Sequence, residues 1–248
     1  MSVYNLGILD FETTGFGKAS RPVEAAVSIF TWDPQRLIAT YKGTTSQLCA
    51  PGVKINRGAM AVHHITPEML TGAKPWEEVK KELDELDRGP NIDFWVAHNA
   101  PTERTYIQTT KPWICTLKVA RSLYPDASEH KLQYLRYWTG IYKTMDPKLT
   151  DPPHRAGPDT YICGFLLLHM LNQQTLTIED MLRISAYGPN NEPGSDDVSR
   201  KIDRMPFGKH KGQLIGDVPK SYLEWGVGNF TGDIQAVFRE ELKKRNTV

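Results

Sequence analysis

No stretch of this 248-residue sequence approaches the roughly 20 consecutive apolar residues that cross a bilayer, so no membrane-spanning helix and no membrane partner is expected. The opening residues, Met-Ser-Val-Tyr-Asn, hold neither a basic segment nor an apolar one, so no export leader is expected. Cysteine is scarce. Cys49, Cys115 and Cys163 are far apart and odd in number, which excludes a disulfide framework and zinc-site spacing and fits reduced, packed thiols in a cytoplasmic protein. A phosphate-cradling G-x-x-x-x-G-K-[ST] loop is absent, as are internal repeats and low-complexity tracts. Net charge is also small, +1 overall, but uneven. From Arg200 onward ten Lys or Arg face six Asp or Glu (+4), leaving twenty against twenty-three (−3) in the first 199 residues. An acidic front part can contribute to a cation site, and a basic tail can lie against a polyanion. With 40% hydrophobic residues, what remains is a globular chain with room for one large domain, or a medium domain and a small module.

What is present begins with Leu6-Gly-Ile-Leu-Asp-Phe-Glu-Thr-Thr-Gly-Phe-Gly17, an apolar run of strand length that ends in Asp10 and Glu12. Residues two apart share a strand face, so both carboxylates project together. Burial of such a pair is costly unless something compensates it. A hard divalent cation such as Mg²⁺ or Mn²⁺ is the natural compensator. The alternative is a strand that ends in two solvated acids before a glycine turn.

Further strands are expected over 23–30 and 38–42, giving an antiparallel meander with no helical period between them. A short helix is predicted over 56–62, and another after the N-cap Thr66 with Pro67 in its first position. A stronger one is expected over 76–86, where Trp76, Val79, Leu83 and Leu86 recur at helical spacing. A strand over 93–99 leads to Pro101, where a helix can open with Glu103 in its first turn. A strand over 113–116 and helices over 118–123, 132–138 and 161–171 complete the main domain, placed at 1–187. Residues 188–204 have linker character, and 205–248 form a small basic and aromatic module, too short for a robust core of its own. This pattern of elements implies a mixed β-sheet flanked by helices, an α/β fold.

Three segments carry chemistry in a fixed order: Asp10-Phe-Glu12-Thr-Thr-Gly15, Ala97-His-Asn99-Ala-Pro-Thr-Glu103 and His154-x4-Asp159. Together they resemble the three motifs of the DEDDh 3′→5′ exonuclease family, which includes the proofreading subunit of bacterial DNA polymerase III. The ordered trio is far more specific than any one motif. Val62-His63-His-Ile-Thr66 is similar to a fourth, less diagnostic element. Trp113-Ile-Cys-Thr-x-Lys-x-Ala-Arg121 and Phe207-Gly-Lys-x-Lys-Gly212 resemble exodeoxyribonuclease members and extend the likeness over nearly the whole chain.

The resemblance implies a ribonuclease-H-like exonuclease domain with a small C-terminal appendage. It also implies metal-dependent hydrolysis of phosphodiester bonds from a 3′ end, with release of 5′-mononucleotides. Two Mg²⁺ or Mn²⁺ ions about 4 Å apart would serve that chemistry, held by Asp10, Glu12, Glu103 and Asp159, with His154 as the general base. The tyrosine subclass places Tyr where this chain has Arg155, so the histidine subclass is the better match. The family's second motif normally supplies Asp where Glu103 stands. Glu103 is then a ligand reaching through a water, the mark of an impaired site, or an altered position.

Substrate-binding roles are implied for the backbone around Thr13, Thr14 and Gly15, for Phe16 as a wedge against terminal bases, and for His63 and Asn99. Each has a structural alternative: Phe16 a core aromatic, His63 a packed histidine, Asn99 a side chain that fixes its own loop. The partner is a nucleic-acid 3′ end, DNA favoured and RNA trimming the alternative. A homodimer and a role in DNA repair stay open. The rival from another class is a protein that holds nucleic-acid ends without cutting them.

Overall fold

The computed structural model describes residues 3–17, 19–187, 205, 210, 213–229 and 233–246, which fall in two compact units, Met1–Asn191 and Glu192–Val248. The larger unit is built on a six-stranded sheet. β1 (Tyr4–Thr13), β2 (Pro22–Asp33) and β3 (Ile38–Ala50) form the antiparallel meander, while the short β4 (Lys74–Pro75), β5 (Phe94–Ala97) and β6 (Trp113–Cys115) add parallel to their neighbours. The order across the sheet is β4-β3-β2-β1-β5-β6, with β5 parallel to β1 and β6 parallel to β5. It is the mixed sheet flanked by helices that the sequence pattern implies.

The helices are α1 (Arg57–His63), α2 (Trp76–Arg88), α3 (Ala100–Glu103), α4 (Thr116–Leu123), α5 (Leu132–Trp138), α6 (Ala156–Asn172) and α7 (Ile178–Tyr187). Asn56 caps α1 by accepting the Gly58 N–H at 2.7 Å. The helix expected after Thr66 is a single 3-10 turn, Glu68–Leu70, without a side-chain cap bond. β3 runs eight residues past its expected end, because its polar, β-branched continuation pairs with β2 although it shows no apolar alternation. α6 starts five residues earlier than predicted, so Asp159 lies inside its first turn. α7 was not anticipated.

Alternation along β1 sends Leu6 and Ile8 to one face, where they meet Phe30, Val96 and the buried sides of α4, α5, α6 and α7. Leu9 and Phe11 go to the other, against α2, Ala100 of α3 and Trp113. α6 is apolar nearly all round and packs on β1, β2 and β3 with α4 and α5 over it, as expected of a buried helix. The three cysteines are free and buried, Cys163 in the α6-side core, Cys49 and Cys115 in the opposite one. Among the described residues no helix is long and apolar enough to cross a membrane.

The smaller unit holds α8 (Lys220–Asn229) and α9 (Asp233–Asn246). Its described core gathers Met205, Ile215, Val218, Leu223 and Phe238. Arg245 ties α9 to the preceding 3-10 turn by donating to the carbonyls of Ile215, Gly216 and Val218 at 2.8–3.0 Å. The expected linker, 188–204, and the basic loop at 207–209 and 211–212 lie outside the described residues.

Gly164 sits where α6 crosses the fully buried Phe30, and a Cβ there would collide with the ring. Gly164→Ala is therefore expected to destabilise by about 1–3 kcal/mol, despite alanine's better helix propensity. Thermal unfolding should show a fall of several degrees; an unchanged midpoint would mean that the ring moves aside freely.

Candidate active site

In a parallel arrangement adjacent strands end side by side, so residues just past the carboxyl ends of β1 and β5 are brought together. Asp10 and Glu12 have the parity of Leu6 and Ile8 and project to the α6 face. The first turn of α6 presents Asp159 to them. One carboxylate oxygen from each of Asp10, Glu12 and Asp159 lies within 4.8 Å of the other two. Past β5 the chain turns through Asn99 in the left-handed region, φ 89°, into the short α3, which carries Glu103 toward Asp10. Glu103 is only 4% exposed, and its Oε2 is buried without a hydrogen-bond partner. His154 is exposed on the turn before α6, with φ 57°.

These carboxyls are held out of their usual range. Burial raises Asp10 well above it, and the charges of Asp159, Glu103, Glu12 and Glu24 add to the rise. Burial lifts Glu12 to about 8, with Asp159 and Glu24 adding and Arg155 opposing. Glu103 rises to about 8, again through burial. Asp159 is raised by burial but reaches only about 6, because a hydrogen bond from Gln133 and the nearby His154 pull it back. An all-oxygen donor set that resists ionisation, together with one orphaned acceptor, fits hard divalent cations such as Mg²⁺ or Mn²⁺.

Two supporting side chains escaped the sequence reading. Glu24 of β2 stands directly opposite Glu12 of β1 and is buried. It accepts from Arg155 Nε and Nη2 at 2.8 Å each, from the Ala156 N–H at 3.0 Å and from Ser46 Oγ at 2.9 Å. One carboxylate thus grips Arg155 in a fork and caps the first turn of α6, fixing the segment between His154 and Asp159. The signal was an acid within the apolar run Val23-Glu-Ala-Ala-Val. Gln133 of α5 donates to Asp159 Oδ1 at 2.6 Å, and no sequence pattern announced it.

The loop after β1 is tightly tied. Thr13 Oγ1 and Ser20 Oγ both donate to the Gly15 carbonyl, at 2.8 and 2.7 Å, and the Thr14 N–H donates to the Arg21 carbonyl at 2.8 Å. Gly15 adopts φ 148°, a conformation that favours glycine. From this loop Phe16 projects with 97% exposure, so its core-aromatic reading is overturned. His63 is buried: its Nδ1 accepts the Ile65 N–H at 2.9 Å, leaving Nε2 to donate to the Thr13 carbonyl at 3.2 Å. Asn99 Nδ2 donates to Thr102 Oγ1 at 2.9 Å, so it fixes its own loop. Beside the carboxylates opens a cavity of about 980 Å³, lined by Glu12, Phe16, His63 and the mutually packed Phe11, Trp76 and Tyr106.

Residues 8–164 match the model of the RNase_T exonuclease family. Residues 199–229 match a model described as a putative quorum-sensing-regulated virulence factor. Exodeoxyribonuclease 10 of Escherichia coli strain K12 is 31% identical over 192 residues, 74% of this chain and 76% of its own length. The structure of exonuclease X in complex with 5′ overhanging duplex DNA matches with TM-score 0.57 at 30% identity, over 73% of this chain and 99% of that one. The nuclease domain of 3′hExo, a DEDDh family member bound to rAMP, shares the fold with TM-score 0.51 at 18% identity, over 68% of this chain and 92% of that one.

Arg155→Ala leaves the buried Glu24 without its cation. The expected loss lies at the lower end of the ~3–5 kcal/mol typical of breaking a buried pair, because the Arg155 side chain keeps 25% exposure. Arg155→Lys, which cannot form the fork, should recover only part of it in denaturant unfolding. The raised carboxyls have a pH consequence. In cation-free protein they hold protons that the unfolded chain has already released, so their contribution is complete at low pH and lost as pH rises through about 8. His63, His98 and His169, whose pKa values are lowered by desolvation, tilt stability the other way, but only below their ordinary 6.5. Between pH 6.5 and about 8.5 the melting temperature in EDTA should therefore fall, and Mg²⁺ should raise it more at the upper end. A flat profile in both conditions would mean that the cluster is ionised without a cation.

Proposed function

The chain belongs to the RNase_T exonuclease family, and we propose that it is a metal-dependent 3′→5′ exonuclease releasing 5′-mononucleotides, with DNA as its preferred substrate. The observation that carries this reading is the convergence of Asp10, Glu12 and Asp159 within 4.8 Å, with Glu103 buried beside them. Asp10, Glu12 and Asp159 would hold one Mg²⁺ or Mn²⁺ ion and Asp10 with Glu103 a second, supplying charge neutralisation and water activation at a phosphodiester.

The chain's own residues do the rest. His154, unburied at the head of α6, accepts the proton of the attacking water at its imidazole. The cavity beside Glu12 seats the terminal nucleotide against its aromatic wall, and Phe16 stacks as a wedge against the terminal bases. The Thr14 amide is committed to Arg21, whereas the Gly15 N–H has no partner among the described residues and serves the terminal sugar or phosphate. His63 and Asn99 act through the loops they brace. Arg155 keeps Glu24 from adding a further unmet charge to the four carboxyls. DNA is favoured because the 31% identical relative is an exodeoxyribonuclease.

Glu103 bears on the rival reading of a protein that binds ends without cutting. Its buried, unpartnered Oε2 favours a working ligand, since a solvated helix-terminal acid would face water.

The test is degradation of 5′-labelled single-stranded DNA and RNA in Mg²⁺, Mn²⁺ and EDTA. The protein should shorten DNA from the 3′ end, and EDTA should stop it. Asp10→Ala should abolish cleavage without lowering the melting temperature, and Glu103→Asp should stay active. Wild-type cleavage by Asp10→Ala would refute the site. Cleavage by Glu103→Asp alone would make the natural chain an end-binding protein.

A further inference from the structure

The segment between α5 and the His154 turn has a character that the catalytic reading does not use. Residues 131–153 hold four basic side chains, Lys131, Arg136, Lys143 and Lys148, against two acids, Asp146 and Asp151, in a chain whose overall balance is +1. Aromatics are interleaved with them, and three are strongly exposed: Tyr137 at 58%, Trp138 at 44% and Tyr142 at 41%. The rings of Tyr137 and Tyr142 lie 5.3 Å apart. The Arg136 guanidinium sits 5.2 Å from the Tyr137 ring and the Lys143 ammonium 5.8 Å from that of Tyr142.

Three observations say what covers this face. The first is continuity with the carboxylates. Gln133, which donates to Asp159, lies one helical turn before Tyr137 on the same stripe of α5. The second is preorganisation. Arg136 is anchored by donating from Nη2 to the buried Thr150 at 2.7 Å, so the ring above it rests on a fixed support. The third is charge. Lys143 and Lys148 take part in no ion pair among the described residues, whereas Lys131 is paired with Glu129. Exposed flat rings, an unpaired cation beside one of them, a second further along the chain and a route from the reacting phosphate are what a single polynucleotide strand requires.

We propose that this face of α5 and the following turn is a stacking track for the single strand on the 5′ side of the scissile phosphate. Two of its bases lie on Tyr137 and Tyr142, and its phosphates meet Lys143 and Lys148. The track rests on the exonuclease reading only for where the 3′ end lies. It is tolerant of sequence, because every base has a face to stack. It makes affinity grow with strand length until the rings are covered.

The test is fluorescence anisotropy in EDTA, where nothing is cut, with 5′-fluorescein dT3 and dT12. The natural chain should bind dT12 far better than dT3. Tyr137→Ala with Tyr142→Ala should lower that ratio about tenfold or more, the scale of losing one or two stacked bases. Tyr137→Phe with Tyr142→Phe should keep it. Lys143→Gln with Lys148→Gln should flatten the salt dependence by one to two phosphate contacts, roughly 0.7 in logarithmic slope for each. An unchanged dT12-to-dT3 ratio in the alanine pair overturns the track. So does light scattering that finds the alanine pair turned from dimer to monomer at the same ratio, which would make the face a contact between two copies. If the natural chain cleaves nothing in any metal, the exonuclease reading falls while the anisotropy ratio still decides the track. If it cleaves and the ratio is unmoved, only the track falls.

Discussion

Five carboxylates meet where β1, β2, α3 and α6 converge, and among the described residues only Glu24 forms a salt bridge. Glu24 receives the Arg155 fork, a backbone N–H and a hydroxyl, so its charge is fully met. Asp10, Glu12, Glu103 and Asp159 have weaker help, chiefly the hydrogen bond from Gln133 to Asp159. The division shapes the rest of the structure. Had Glu24 been left unmatched, its repulsion of Glu12 across the strand pair would oppose the closure of β1 on β2. Matched, it becomes the clamp that seats the first turn of α6, and the helix then delivers Asp159 to the other acids.

Much of this was legible in the sequence, and the physics says which part. The acid pair on β1 could be read because strand alternation has a fixed period of two, so Asp10 and Glu12 had to share a face. The helix carrying Asp159 could be read from its apolar length, but its start could not, because what starts it is Glu24, some 130 residues earlier in the chain. Non-local caps leave no local trace. The length of β3 was hidden for a related reason: its polar residues are held by pairing with β2 rather than by burial of their own. α7 was missed although Met181 and Ile184 pack into the core, and Ser185 on it accepts the Cys115 N–H at 2.7 Å.

Phe16 lies outside any core, so a packing role does not account for it. Both ring nitrogens of His63 and the side-chain amide nitrogen of Asn99 hydrogen-bond to the chain around them. Glu103 is the informative departure. The turn at Asn99 points a longer side chain inward to a place where no donor meets its second oxygen. A methylene added to an acid that faced solvent would have had no such consequence.

The thiols carry a consequence of a different kind. Cys49 and Cys163 are kept from ionising by burial, Cys49 pushed up to about 12 and Cys163 higher still. Oxidants and alkylating reagents attack the thiolate, so in the closed protein these sulfurs are chemically silent. Cys163 lies on the α6 side of the sheet and Cys49 with Cys115 on the α2 side. Each layer of the molecule therefore contains its own timer, started only when that layer opens. Whether the two faces breathe together or separately is written into the order in which the sulfurs react.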